Sequence, residues 1–433
     1  MRIRKFHALA LLAAVFALAV AGCGGDDDDD DAAAEEVSGS VDIAGIWTGQ
    51  EARSFETVLD GFSEQFPDVD VSYDAVGDEI PTVLATAVEG GNPPDLAAVA
   101  QPGLVADFFD QGALQPLEFA ADDIEENFDE GAYEFAVFDG EIYGFLFKAA
   151  NKSTVWYNVP LYETAGVEPP ETFDEFLQNA ETLRASGTAA YSIGADVGWP
   201  LTDLFENIYL RQAGPEMYDQ LAAHEIPWTD QSVKDALETM AQIIGDEDNL
   251  VGGTEGALQT DFPTSVANAF KENPDGANVI EADFVASEIA ASTPAEPLTD
   301  YDVFDFPSIE GSEPAVVGGG DTIIMFNDTP ASQALVEYLA TAEAAEIWAS
   351  RGGFSSANQN VDPSVYPDEL TQKTASALVE AETLRFDLSD LQPAAFGATT
   401  GRGMWQIFTD FLENPDDVDG TANRLEQEAR RAF

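Results

Sequence analysis

The stretch Tyr143-Gly-Phe-Leu-Phe-Lys-Ala-Ala-Asn-Lys-Ser-Thr-Val-Trp-Tyr-Asn158 decides the fold of this chain. It opens as an apolar run, Tyr143 to Phe147. A polar break with Lys148, Asn151 and Lys152 follows, and a β-rich segment resumes from Thr154 to Asn158. Two short strand-like pieces around a polar break predict a chain that leaves one sheet and enters another. Asp139-Gly140 predicts a hairpin turn just upstream. Pro160 and a short helix ending at Gly166 open a new α/β pattern downstream. Taken alone, the same residues also fit a surface loop with two lysines.

Upstream, Val41 to Trp47 reads as a first strand. Ser54 reads as an N-cap, with Phe55, Val58, Leu59, Phe62 and Phe66 at helical spacing behind it, and Pro67-Asp68 as the stop. Val69, Val71 and Tyr73 alternate as a strand. A helix from Ile80 to Glu89 closes at Gly90-Gly91, and Asp95 to Ala100 is a buried-type strand. Strand and helix alternating at this spacing predict a mostly parallel sheet with helices on its faces. Gln101 then sits at the carboxyl end of a strand, where open α/β sheets bind ligands. A glutamine facing water is the other reading.

Downstream, Thr172 with Glu175 forms a capping box ahead of Phe176, Leu177, Ala180 and Leu183. Gly198-Trp199-Pro200-Leu201-Thr202-Asp203 opens a helix that ends near Gly214. An aromatic face and a carboxylate at a helix start suit a sugar, whose C–H faces stack and whose hydroxyls need polar partners. Core packing for Trp199 and helix-dipole stabilisation for Asp203 are the alternatives. His224, the sole histidine outside the N-terminal segment, reads as structural. Tyr301 to Phe306 reads as a strand returning toward the first lobe. Ala315 to Gly320 and Thr322 to Phe326 flank Asp321; a glycine-rich loop there lets backbone approach a ligand, without nucleotide-binding spacing. Thr329 caps and Pro330 starts a helix carrying Leu335, Val336, Leu339 and Trp348. Arg351-Gly-Gly-Phe-Ser355 reads as a further crossing.

Together these stretches resemble the extracellular solute-binding proteins of ABC sugar importers, the maltose-binding-protein-like family, and most closely its α-glucoside-type members. The resemblance is carried by the crossing stretch, by Gly90-Gly-Asn-Pro-Pro-Asp-Leu-Ala97 with Gln101-Pro-Gly103, and by Pro169 to Glu175. Gly198 to Asp203, His224 to Trp228 and the Ala315 to Phe326 segment carry it further, as do Arg385 to Asp390 and Gly401 to Trp405. It implies a two-lobe α/β fold of the type II periplasmic-binding kind, each lobe a mostly parallel sheet flanked by helices, with a multi-strand hinge. Residues 41–149 with 302–352 would form lobe I, and 150–301 with 353–433 lobe II. The ligand site would draw on Glu51, Gln101, Lys148, Trp199, Asp203, Asp321, Phe354 and Asp390. Lys148 and Asp203 would be the polar partners of Trp199 from opposite sides of the hinge. The implied partners are a carbohydrate and the transmembrane subunits of an ABC permease. The protein would be a monomer with no catalytic residue, metal or cofactor.

The N-terminus carries Arg2, Arg4 and Lys5 before an apolar run from Ala8 to Val20, the pattern of an export signal over residues 1–22. Val20-Ala21-Gly22-Cys23 is similar to a bacterial lipobox. Cleavage before Cys23, the only cysteine, and lipidation of its thiol would anchor the chain to the membrane. Residues 23–40, with Asp26 to Asp31, are expected to be a disordered acidic tether. Calcium binding by those aspartates would need a fixed coordination shell, which such a run lacks.

With 17 basic and 82 acidic residues, the formal charge is −65. Nucleic-acid binding is ruled out by that balance, because phosphate contacts need basic surface. The dispersed acids suit a saline habitat, where salt screens self-repulsion; a cationic ligand is the other reading. Histidine and cysteine are too few for a zinc site or for Ser-His-Asp or Cys-His catalysis. Asp416-Asp417-Val418-Asp419-Gly420 lacks the glutamate of a calcium loop. A glycosidase needs only two carboxylates, so it stands as the enzyme alternative. A zwitterionic osmolyte as ligand and an adhesive surface lipoprotein stand beside it.

Overall fold

The computed structural model describes residues 37–433. The expected signal, the lipobox with Cys23 and nearly all of the expected tether lie outside them. The first strand, β1 (Gly39–Gly45), begins inside the expected tether and ends two residues before Trp47. It pairs in parallel with β2 (Val69–Ala75) and with β3 (Leu96–Val99). Alternation divides their side chains. Ile43, Leu96 and Ala98 pack with Phe55 and Phe62 on one face, while Ala44, Ala97 and Val99 pack with Ile80, Leu84 and Phe108 on the other. Both faces are therefore buried under helices, as parallel strands require. The helix over Ile80–Glu89 forms as the spacing predicts. The first helix starts earlier than Ser54. Thr48 is its N-cap, with extended backbone, and the helix runs Gly49–Gln65. Ser54 is an interior residue whose hydroxyl accepts a bond from Arg351 Nε at 3.0 Å.

Asp139 and Gly140 take φ of 54° and 89°. They turn the hairpin between β4 (Val137–Phe138) and β5 (Glu141–Ile142). β6 (Gly144–Asn151) then lies in the first sheet, and after Lys152-Ser153 the chain enters β7 (Thr154–Asn158) of a second sheet. That sheet also holds β8 (Ala189–Tyr191), β9 (Gly276–Ile280) and β10 (Tyr301–Asp305), in the order β10-β7-β9-β8. β8 and β9 are parallel, and β7 runs antiparallel to both of its neighbours. Here β10 departs from expectation. Residues 302–305 belong to the second sheet, not to lobe I, because the whole strand pairs with β7.

The return to the first sheet is β11 (Val316–Met325), antiparallel to both β6 and β3. Val317 sits in the core of the second lobe, whereas Ile323 and Met325 sit in that of the first. A bulge falls in the β6–β11 ladder: Asp321 pairs with Lys148, yet Thr322 pairs with Leu146, leaving Phe147 as the extra residue. Short strands β12 (Ser355–Ser356) and β13 (Leu384–Phe386) pair with β6 and β11 respectively. Phe354 and these two strands therefore remain with the first sheet, contrary to a lobe II that begins at residue 353. The helices Gly403–Glu413 and Val418–Ala432 complete the core of the second lobe through Phe408, Phe411 and Leu425. The predicted helix after Thr329 divides in two, Pro330–Leu339 and Ala342–Ala349, each capped by a threonine side chain.

Candidate functional site

A cavity of about 200 Å³ lies over the crossing strands. Lys148, Lys152, Gly320 and Asp321 come from the crossings themselves. Trp47, Glu51, Asp78 and Gln101 line it from the first lobe, and Asp196, Trp199, Asp203, Asp261, Phe262, Phe284 and Glu288 from the second. Ser389, Asp390 and Trp405 reach it from the C-terminal segment.

The bulge sets Lys148 opposite Asp321, and bulges re-aim side chains in this way. Lys148 Nζ is 3.6 Å from Asp321 and 2.5 Å from Glu51, and it lies 5.0 Å from the centre of the Phe284 ring. Trp47 Nε1 donates to Asp321 at 2.6 Å. Burial alone would drive Lys148 to lose its proton, but the Glu51 and Asp321 carboxylates outweigh it and raise its pKa. Burial raises the pKa of Glu51, with Lys148 opposing.

A second ion cluster centres on Lys152, which contacts Asp203 at 3.2 Å and Asp390 at 3.7 Å and bonds Asp387. Burial again disfavours its charge, and Asp203, Asp387 and Asp390 reverse that, so its pKa is raised well above the usual. Carboxylate oxygens of Asp203, Glu206 and Asp387 lie within 4.8 Å of one another, close enough for a metal ion. The protein already fills that position. Glu206 accepts the Leu388 and Ser389 amides at 2.7 and 2.9 Å, and the Lys152 ammonium takes Asp203 and Asp387.

Aromatic rings form one wall. Trp199 meets Phe262 at 5.1 Å and Phe284 at 6.1 Å between ring centres, and is half-buried. Its helix, Trp199–Ala213, starts after Gly198 at φ 102°. A Cβ there would come within 2.3 Å of the Trp405 carbonyl, so only glycine lets the two segments approach. Gln101, 2% exposed, caps the helix Pro102–Asp110 through its backbone, and its Oε1 has no partner. Trp405 Nε1 is likewise buried without an acceptor.

Seven of the eight expected residues thus share one cavity: Glu51, Gln101, Lys148, Trp199, Asp203, Asp321 and Asp390. Phe354 does not. It is fully buried, stacked on Trp348 at 5.1 Å and packed on Phe147 at 5.6 Å. An aromatic residue after Gly352-Gly353 fits either a wall or a core, and here the core takes it. Lys148 and Asp203, expected as polar partners beside Trp199, both line the cavity with it, and Asp203 is held there by Lys152. Lys152, Trp47, Phe262, Phe284 and Trp405 line the cavity in addition to the expected residues. For Lys152 the signal was present in the polar break of the crossing stretch. His224 is structural, contacting Glu426 at 3.2 Å.

Two α/β lobes joined by crossing strands, with a cavity of aromatic rings and fixed ion pairs between them, define a two-lobe binding protein of the type II periplasmic kind. A family model described as bacterial extracellular solute-binding protein matches residues 47–346, and the chain belongs to that family. The osmoprotective compounds-binding protein GgtB of Synechocystis sp. is 35% identical over 384 residues, 87% of this chain and 89% of its own. The alpha-glucosides-binding periplasmic protein AglE of Rhizobium meliloti is 30% identical over 398 residues, covering 88% and 85%. Among solved structures, the bacterial solute receptor AcbH matches with a TM-score of 0.80 at 18% identity, over 92% of this chain and all of that one. RafE in complex with raffinose gives 0.74 at 17%, covering 91% and 100%.

Proposed function

We propose that this chain is the extracytoplasmic binding component of an ABC importer, capturing a sugar or short oligosaccharide of α-glucoside type between its lobes. It makes and breaks no bond. The observation that carries this reading is the cavity wall, where Trp199, Phe262 and Phe284 stand beside carboxylates fixed by Lys148 and Lys152. Rings stack on sugar C–H faces, and fixed carboxylates accept from hydroxyls. Solute bridging both lobes would favour the closed state, and the closed surface would engage the permease. Cys23, lipidated, would hold the chain at the membrane. Among the described residues no helix is long and apolar enough to cross one.

The second reading is capture of an osmoprotective solute, favoured by the likeness to GgtB across most of both chains. Thermal-shift screening and calorimetry against maltose, trehalose, sucrose and glycine betaine separate the two, since a bound ligand raises the melting point by mass action. A shift with none of these, or release of glucose from maltose, overturns capture of an α-glucoside. Cys23→Ser should move the exported protein from the membrane to the soluble fraction.

A further inference from the structure

We propose that Asp390 enters the cleft as a neutral carboxyl, keeping its proton at neutral pH and donating a hydrogen bond to an uncharged oxygen of the solute. The proposal rests on the cleft being the solute site and narrows what the site accepts.

Asp203, Glu206, Glu281, Asp387 and Asp390 are each at most 4% exposed, and Lys152 is the one ammonium among them. The donors are unevenly shared. Glu206 takes two amides and the Tyr218 hydroxyl, at 3.2 Å. Asp387 takes the Asp390 amide, the Ser389 hydroxyl and the closest approach of Lys152. Glu281 accepts the Ala282 amide at 3.2 Å with one oxygen and leaves the other without a partner. Asp390 receives nothing except the Lys152 ammonium at 3.7 Å, beyond hydrogen-bond reach, and it lines the cavity. A buried carboxylate without donors is unstable relative to its protonated form. One ammonium cannot neutralise five carboxylates, so the cluster must hold protons, and the member with fewest donors is the natural bearer.

The other titratable groups of the cluster and of the elements packed around Asp390 supply no second cation. Asp203 and Glu206 come from the helix Trp199–Ala213, Glu281 from the end of β9, and Asp321 from β11. Asp107, on the helix Pro102–Asp110, accepts the Ala394 amide, and Tyr218 comes from Pro215–Ala222. Arg385 of β13 is paired with Asp219 and offers no charge inward. Desolvation and then the Asp387 carboxylate raise the Asp390 pKa well above normal, with Lys152 opposing. The carboxyl contacts of Asp203 with Asp387 and Glu281 make this a set of shared protons, not one isolated site.

A carboxyl that donates suits a hydroxyl or ether oxygen and offers an ammonium no counter-charge. The chemical class is a neutral polyhydroxylated solute, and its affinity should fall as pH rises through the titration of the cluster, by about tenfold per pH unit if one proton is required.

Infrared difference spectroscopy of the ligand-free mature protein tests this without knowing the solute. A protonated-carboxyl C=O band should persist at neutral pH, shift in D₂O and weaken in Asp390→Asn. The surface variant Asp362→Asn should keep it. Should Asp390→Asn fail to fold, Asp390→Glu takes its place: the band must then change in position, and a band identical to wild type overturns the proposal. No protonated-carboxyl band at neutral pH, or a band unchanged in a folded Asp390→Asn, overturns the proposal. If the band is present and no saccharide binds, the neutral carboxyl stands, and its donation to a solute falls with the transport reading. If maltose or trehalose binds with no such band, the reverse holds.

Discussion

Lys152 and Asp203 meet at 3.2 Å where the chain leaves the first sheet, joining the crossing segment to the second turn of a helix in the second lobe. The same ammonium reaches Asp387 and Asp390 of the C-terminal segment. One side chain therefore ties three stretches distant in sequence to the cavity floor.

Lys152→Met should accordingly be costly. Removing the cation from a buried cluster leaves its carboxylates uncompensated, a loss of about 3–5 kcal/mol. Urea denaturation measures it, and the deficit should shrink in acid, where protonation relieves the carboxylates. A deficit that does not change with pH would argue against the ion-cluster account.

Trp199→Ala should weaken solute binding by roughly 1–3 kcal/mol, taking base stacking on aromatic residues as the guide. That is about 5- to 150-fold in Kd. The ring is only half-buried against Phe262 and Phe284, so its loss should destabilise less than the about 3–5 kcal/mol of a core aromatic. Calorimetric titration beside a melt of the ligand-free variant separates the two effects.

Phe354→Ala should behave in the opposite way. The side chain is fully buried against Trp348 and Phe147. It should cost about 3–5 kcal/mol of folding stability, and the cold-folded variant should keep its solute affinity. Lost affinity without lost stability would return Phe354 to the binding site.

Stability should peak on the acid side of neutrality. Burial first, then the Asp387 carboxylate, raises the Asp203 pKa from 3.8 to about 8 against the pull of Lys152. The folded state thus binds a proton that the unfolded state releases. Its contribution is complete below the unfolded value and is lost as pH rises through the folded one. Asp387 has the other sign: against burial, Lys152 and the Asp203 carboxyl hold it at about 2, so its contribution disappears as pH falls from 3.8 through that value. Melting temperature against pH should decline from mildly acid toward alkaline conditions, and Asp203→Asn should flatten the decline.

Much of the framework was legible because local signals agreed with tertiary demands. The Ile80–Glu89 helix had its glycine stop, Asp139-Gly140 its hairpin φ angles, and Thr172 with Glu175 its reciprocal cap. What escaped depended on contacts distant in sequence. Tyr301–Asp305 reads as a strand in any sheet, and only its register against Thr154–Asn158 assigns it to the second. Lys148 and Lys152 look alike in the sequence, four residues apart. The strand crossing between them gives each its own carboxylates. Trp405 reaches the cavity because Gly198 lets its backbone pass, a relation between residues no local pattern connects.

The bulge between β6 and β11 has a mechanical consequence. These two strands form one ribbon whose far ends are embedded in different cores, through Val317 on one side and Ile323 on the other. Its missing regular rung lies at Asp321 and Thr322, where the ladder is interrupted and the ribbon bends. That point carries the Lys148–Asp321 pair, which lines the cavity. Flexure of the ribbon there would act directly on that pair of charges, so that in the proposed capture sensor and spring would be the same few atoms, with no relay between them.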